Sequence, residues 1–432
     1  MMHIFSMKRK TKQQSIQHIP DASVLYLPLS QHIGLPATPT VSVGDRVLKY
    51  QLIAKASGTI SANIHAPVSG IIRSIVKHPL ADGREVDTVI LENDFKEETI
   101  QQSIVDYRNL SGEALLACIQ QSGIVGEGGA QFPTHVKYNV QGQKINTFII
   151  NGTECEPYLT ADYALMRERT QAIFEGITIV NKLIQANEIV LSIEKQNKDL
   201  LAVFQPFLAK AEYRNVRVLV LPNKYPQGGE LQLIQSVTGK ELPRAALPRD
   251  IGVVVSNVGT VYAVYEAVVN QKPLTERIIT LSGEKSINYG NFNVKIGTPL
   301  ADILQTQAMN TLADDTILVL GGPMMGKSTD DLSIPITKGS SGVLFFKKKN
   351  IERSNCIACG YCVDVCPMKL MPLEFAEKYR LGKIMALEKY SINTCIECAA
   401  CEYICPSNVP LMESIKEGKQ KLKLLMRDAD KH

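Results

Sequence analysis

The chain has 432 residues, 45% of them hydrophobic, a mean hydropathy of −0.02 and a formal net charge of +4. That length admits about two to four domains, and so small a charge gives no argument for nucleic-acid binding. No apolar run reaches the roughly 18 residues of a membrane span and the first residues do not read as a secretory leader, so a cytoplasmic setting is expected, with the ten cysteines as free thiols or metal ligands.

Residues 1–22 are polar and basic and read as a flexible tail. Residues 23–98 hold short β-rich runs with Gly and Pro between them. Within them "VSVGDRVLKYQLIA" and "APVSGIIRSI" resemble the two halves of a barrel-sandwich (biotinyl/lipoyl-like) domain. That fold carries its cofactor on a lysine at a hairpin tip. The tip here, near "ASGTISANI", has none, and Lys55 lies on the approaching strand. A structural or docking barrel is therefore expected, with His32 and His65 in packing or surface roles.

Residues 99–270 alternate helix and strand. "SGEALLACIQQSGI" is amphipathic, with Ser111 as N-cap and Cys118 as a buried structural thiol. "INTFIINGT", "IVLSIE" and "VRVLVLP" read as strands of a mainly parallel α/β sheet, whose ligands sit at strand ends near Gly-rich loops. Gly126, Gly128 and Gly129 precede a helix that Pro133 opens. Glycines let a backbone approach a phosphate, although a simple turn explains them equally. Lys137 would neutralise such a phosphate or stand exposed. Asn151, Glu154 and Glu156 follow a strand, where they would grip hydroxyls or serve as ordinary loop acids. Acids beside Cys155 would raise its pKa and make it a poor nucleophile.

Residues 271–345 return to short strands and suggest a compact α+β domain. "FKKKNIERSN", from Phe346, is a charged linker into residues 346–412, and residues 413–432 read as a charged tail. Eight cysteines lie in two copies of C-x2-C-x2-C-x3-C-P. Three thiolates at that spacing hold three corners of an iron–sulfur cube, and the fourth reaches a neighbouring cube. Cys356, Cys359, Cys362 and Cys405 would hold cluster 1; Cys395, Cys398, Cys401 and Cys366 would hold cluster 2. Zinc is the alternative, but structural zinc sites take pairs rather than two quartets ending in proline.

"GxGGAxFPTxxKY", "NGTECEP", "YPQGGELQLIQSVTGKELP" and "NVGTVYAVYEAV" occur here in that order. They resemble the NADH-oxidising, FMN-binding subunit of respiratory complex I and its relatives. Asn151, Glu154, Glu156 and Pro157 match that family's N-A-D-E-G-E-P, while Thr153 and Cys155 depart from it. Tyr225, Gly228, Glu230 and Leu233 match its Y-x-x-G-E-E-T-A-L, while Gly229 departs. The stretch "IITLSGE…IGTPLADIL" resembles the β-grasp (SLBB-like) domain that follows. Adding the barrel and the two-cluster, ferredoxin-like helical domain, nearly the whole chain, from about residue 18 to 412, is similar to the C subunits of Rnf complexes.

That resemblance implies a multidomain α/β and α+β protein, an oxidoreductase and translocase subunit exchanging electrons between NAD(H), FMN and two 4Fe-4S clusters. FMN would lie against Gly126, Gly128, Gly129, Lys137, Asn151, Asn257 and Thr260. Glu154 and Glu156 would stand near flavin or NADH as the catalytic acids, and Glu230 near the nicotinamide. The implied partners are the other subunits of a membrane complex and a ferredoxin-like electron partner, at the cytoplasmic face of the inner membrane. Two other readings stay open: a soluble flavoprotein subunit of a hydrogenase or formate dehydrogenase, and a cluster-only scaffold.

Overall fold

The structure is a computed structural model that describes residues 1–101, 106–129, 131–244, 246–309 and 311–429. Four strands (Arg46–Val47, Val24–Pro28, Gly70–Pro79 and Glu85–Asn93) form one antiparallel sheet of the first unit. Thr38–Pro39, Leu52–Lys55 and Ile64–His65 form a second. Alternation along Val24–Pro28 turns Leu25 and Leu27 into a core shared with Val47, Ile53, Ile72, Val89 and Leu91. The hairpin tip is docked rather than presented: Asn63 Nδ2 donates to the carbonyl of Gln121 (3.0 Å). Lys338 Nζ donates to the carbonyls of Asn63 (2.6 Å) and Gly123 (2.7 Å).

The second unit holds a four-stranded, all-parallel sheet in the spatial order Val216–Leu221, Glu188–Glu194, Thr147–Gly152, Val253–Asn257. Its strands are near-continuous apolar runs because helices cover both faces. Ser111 caps helix Gly112–Gln121 by accepting from the amide of Ala114 (3.2 Å). Helices Thr170–Ile184 and Val258–Val269 approach so closely that a Cβ on Gly176 would meet the carbonyl of Val261 at 2.4 Å. Phe174 is fully buried and packs on the rings of Phe204, Phe207 and Tyr213. Phe174→Ala is expected to cost about 3–5 kcal/mol through lost transfer energy and the cavity left behind, measured by urea denaturation.

The third unit is a six-stranded mixed sheet, ordered Ile16–His18, Gly290–Lys295, Glu276–Ser282, Gly342–Lys347, Thr316–Leu320, Lys327–Thr329. Helix Leu300–Thr306 closes its core through Leu300, Ile303 and Leu304. The edge strand Ile16–His18 corrects the expectation of a flexible tail over residues 1–22. Lys8 and Thr11 are buried, and Ile16–His18 pairs in parallel with Asn291–Asn293. Backbone pairing offsets the entropy of ordering a polar segment.

The fourth unit packs the short helices Tyr361–Asp364, Pro372–Arg380, Ala386–Lys389 and Ala400–Tyr403 against helix Leu411–Ala429. Its core is Leu370, Phe375, Leu387, Ile392, Ile415 and Leu422. The expected charged tail is therefore helical through residue 429, with Ile415 and Leu422 fully buried on one face; residues 430–432 lie outside the described residues. Among the described residues, no helix is long and apolar enough to cross a membrane.

Candidate functional site

In the parallel sheet the strand order reverses beside Thr147–Gly152. The next strand in the chain lies on one side of it and the last on the other, which opens a crevice at the carboxyl ends. Asn151 and Asn257 end adjacent strands there, in register. Asn151 Nδ2 donates to the carbonyl of Gly228 (2.9 Å), and its Oδ1 accepts from the amide of Thr153 (3.0 Å). Asn257 caps helix Val258–Val269: its Oδ1 accepts from the amide of Gly259 (2.7 Å) and its Nδ2 donates to Asp162 (2.8 Å). Thr260, one turn on, accepts from the amide of Glu127 (2.9 Å) and ties the Gly-rich loop to this helix.

That loop is closed by the amide of Gly126 donating to the carbonyl of Phe132 (2.8 Å). A Cβ on Gly128 would stand 3.3 Å from Asn257 Cβ. Gly129 has φ +112° with open space where a Cβ would be, a conformation that favours glycine. Lys137 donates to Glu230 (3.3 Å) and to the carbonyl of Val255 (3.0 Å). Asn151 and Asn257 thus stand at strand ends, and Gly126, Gly128, Gly129, Lys137, Glu230 and Thr260 on the loop and helices beside them.

The acids are unusual in their burial. Glu154 is 8% exposed; its Oε1 accepts from the amide of Asp162 (3.2 Å) and its Oε2 has no partner among the described residues. Burial pushes its pKa up to about 8. Glu156 points elsewhere, accepting from the amides of Met324 (3.0 Å) and Met325 (2.9 Å), and burial still raises it to about 7. Burial lifts Asp162 to about 6 despite its bond to Asn257. Cys155 is driven up to about 12, first by burial and then by Glu194, so it stays a thiol. Burial first, and Lys338 second, depress His32 to about 4 and His65 to about 3. These residues fit a flavin mononucleotide: a Gly-rich loop with room for a close approach, a lysine, and a buried carboxyl oxygen left without a partner.

Cys366, carried by the first motif, lines one apolar cavity with Cys395, Cys398 and Cys401 of the second, among Leu370, Phe375, Met412 and Ile415. The crossing follows the spacing. Burial raises the pKa of Cys395, of Cys398 (to about 11) and of Cys401, and the neighbouring thiols, Cys366 included, raise each further. Among the described residues no three His, Cys, Asp or Glu side chains close around a single ion. Four thiols spread around one cavity suit the corners of a cube better than one zinc. Backbone amides donate to the sulfurs of Cys356, Cys366 and Cys395, each at 3.4 Å, bonds of the kind that tune a cluster's potential. In the other set Cys356 and Cys359 are exposed and Cys362 and Cys405 half-buried, with Cys356 near enough to Cys362 to disfavour its thiolate further.

Sequence reasoning missed the contact joining these two places. Tyr225, packed beside Cys155 of the acidic loop, donates its hydroxyl to the carbonyl of Cys398 (2.8 Å). Tyr225, Cys398 and Ala400 share a small core with Met2, Ile4, Cys155 and Met324. Gln232 Nε2 reaches Met368 Sδ (3.3 Å) and Arg244 reaches Ser391 (2.9 Å) across the same seam. Also missed were Asp162, the buried Arg277–Glu127 ion pair, and Lys8. No spacing in the sequence signals any of these long-range contacts.

Comparison with known proteins bears on the same regions. Residues 2–96 match the family described as the RnfC barrel sandwich hybrid domain. Residues 119–266 match the Nuo51 FMN-binding domain, and residues 355–409 the 4Fe-4S dicluster domain. The chain is 38% identical over 431 residues to the C subunit of the ion-translocating oxidoreductase complex of Haemophilus influenzae (strain 86-028NP), covering 98% of this chain and 64% of that protein. It thus spans a little less than two thirds of that relative's own length. It is 39% identical over 378 residues to the C subunit of the proton-translocating ferredoxin:NAD(+) oxidoreductase complex of Clostridium ljungdahlii, covering 86% of this chain and 82% of that one. Among solved structures it shares its fold with a chain of an NAD+-reducing NiFe-hydrogenase in the H2-reduced state. The TM-score is 0.51 at 18% identity, over 74% of this chain and 61% of the other.

Proposed function

The chain belongs to the family of C subunits of ion-translocating oxidoreductase complexes, and on that premise we propose that it is the peripheral electron-transfer subunit of a membrane-bound ferredoxin:NAD+ oxidoreductase. It would exchange electrons between NAD(H) and two iron–sulfur clusters through FMN, at the cytoplasmic face of the inner membrane, held there by partner subunits. The observation that carries this reading is the Tyr225–Cys398 contact: Tyr225 packs with Cys155 of the acidic loop and bonds a residue that lines the four-thiol cavity.

Bound FMN would supply the exchange between two-electron hydride chemistry and one-electron cluster chemistry, which a nicotinamide cannot. The chain's own residues supply the rest. Gly126, Gly128 and Gly129 would admit the phosphate and Lys137 would offset its charge; Asn151, Asn257 and Thr260 fix the loops that would hold the flavin. Glu154, with a pKa near the working pH, holds a proton at its partnerless Oε2. Glu156 anchors the loop on the Met324–Met325 turn, and Glu230 orients Lys137. Cys366, Cys395, Cys398 and Cys401 hold one cube; Cys356, Cys359, Cys362 and Cys405 hold the other, nearer solvent and so nearer a ferredoxin-like partner. We further read the six-stranded sheet as the β-grasp (SLBB-like) domain and the tip-docked barrel as an assembly element.

Anaerobic reconstitution with iron, sulfide and FMN, followed by NADH titration, tests this. Flavin bleaching followed by reduced-cluster EPR signals is expected. Two clusters' worth of iron without flavin or response to NADH would overturn the reading in favour of a cluster-only scaffold.

A further inference from the structure

The N-terminal residues form a strap across the carboxyl edge of the parallel sheet. Met2 exchanges both backbone hydrogen bonds with Tyr225 (2.9 and 2.8 Å), and the carbonyl of Ser6 accepts from the amide of Tyr158 (2.8 Å). Lys12 pairs with Asp199 (3.1 Å), and Arg167 donates to the carbonyl of Gln14 (2.9 Å). Between these anchors the side chain of Lys8 enters the protein, 5% exposed. Its Nζ pairs with Glu194, itself 3% exposed, at 3.4 Å, and donates to the backbone carbonyl of Glu154.

The groups facing Lys8 are Glu194 from the strand, Glu154, Glu156 and Cys155 from the acidic loop, and Asp162 from the following helix. Gln196 donates to the same Glu194 oxygen (2.8 Å). Arg277 is engaged with Glu127 and Lys137 with Glu230. Glu194 and Glu154 press on one buried place and repel each other unless a cation or protons neutralise them. Burial alone would lower the Lys8 pKa, but Glu194 and Glu154 outweigh it and the ammonium is held charged.

We propose that Lys8, delivered by the N-terminal strap, is a positioning residue that fixes the charge and the backbone of the acidic loop and thereby sets the crevice's affinity for flavin mononucleotide. The inference rests on the flavin reading above. Lys8 touches the loop and its acids, so it acts through Glu154 rather than on the flavin.

FMN affinity of the full-length, reconstituted protein, followed by flavin fluorescence from pH 6 to 9, tests it. Lys8→Met is expected to weaken FMN binding about tenfold, the worth of one charge-assisted hydrogen bond. It should also move the pH midpoint of binding upward by about one unit, since removing a cation raises a neighbouring carboxyl's pKa. Lys8→Arg should stay close to wild type, and the double variant K8M/E194Q should recover part of the pH shift. A Lys8→Met protein that binds FMN with an unmoved midpoint overturns the proposal, as does Lys8→Arg behaving like Lys8→Met. If Lys8→Met does not fold, acylation of wild-type lysines decides. Lys8 should resist the reagent, and its modification at the rate of exposed lysines with FMN binding intact overturns the proposal. Wild-type protein that binds no FMN sinks the flavin reading itself, and this inference with it.

Discussion

Replacing Cys366 with alanine is expected to lower bound iron from about eight to about four atoms per chain, and the cluster lost is the one held by the second motif. The reason is spatial: Cys366 lines the cavity with Cys395, Cys398 and Cys401, not with the first motif to which it belongs in sequence. Double variants separate the two assignments. Cys366→Ala combined with Cys395→Ala removes two ligands of one cube and should still leave about four irons. Cys366→Ala combined with Cys356→Ala strikes both cubes and should leave almost none. The reverse pattern, with the first pair losing all iron and the second keeping half, would mean that each motif ligates its own cluster. EPR of the dithionite-reduced proteins then identifies the survivor. The Cys366→Ala protein should also lose stability, because Leu370, Phe375, Met412 and Ile415 around the cavity would face an unfilled space.

The grouping of Cys366 with Cys395, Cys398 and Cys401 agrees with the spacing because ligand spacing is local and a cube would impose it. The parallel sheet was legible for a similar reason: apolar runs and alternating helices report burial on both faces, and the sheet places Asn151 and Asn257 side by side without any further signal. What was not legible depends on contacts distant in the chain. Lys8 stands in "MKRKTK", which looks like any solvated tail, and its acidic partners lie 146 and 186 residues away. Tyr225 meets the cluster loop across 173 residues. Glu156 read as a loop acid facing a ligand, yet it receives two amides from a turn in another unit. In the C-terminal helix, interspersed lysines and glutamates conceal the stripe of Leu411, Ile415 and Leu422 that packs inward. In each case the residue's partners are ones that only the tertiary fold brings near.

Glu154→Gln is expected to keep its iron and its fold while slowing NADH-dependent reduction about a hundredfold or more, the usual loss when a positioned proton carrier is removed. Glutamine matches the shape of the protonated acid but cannot release the proton. The pH dependence of stability carries a second, independent signature. In the unfolded chain this carboxyl ionises near its ordinary 4.5, whereas burial holds it to about 8 in the folded protein. Below about pH 4.5 both states are protonated and the group favours neither. Between 4.5 and 8 the unfolded state has released a proton that the folded state retains, so stability falls as pH rises, by up to about 1.4 kcal/mol per unit. Above 8 both are ionised and the loss levels off. Glu156 and Asp162 are shifted in the same direction and add to the slope. Lys8, raised above 10.5, contributes no slope in this window because it stays charged in both states. Glu154→Gln should therefore have a shallower decline than wild type between pH 5.5 and 8, seen as denaturation midpoints that converge at low pH and separate at high pH. Parallel curves would show that Glu154 is already ionised in the folded protein. Full NADH-dependent reduction by the glutamine variant would remove Glu154 from the chemistry, whatever its charge.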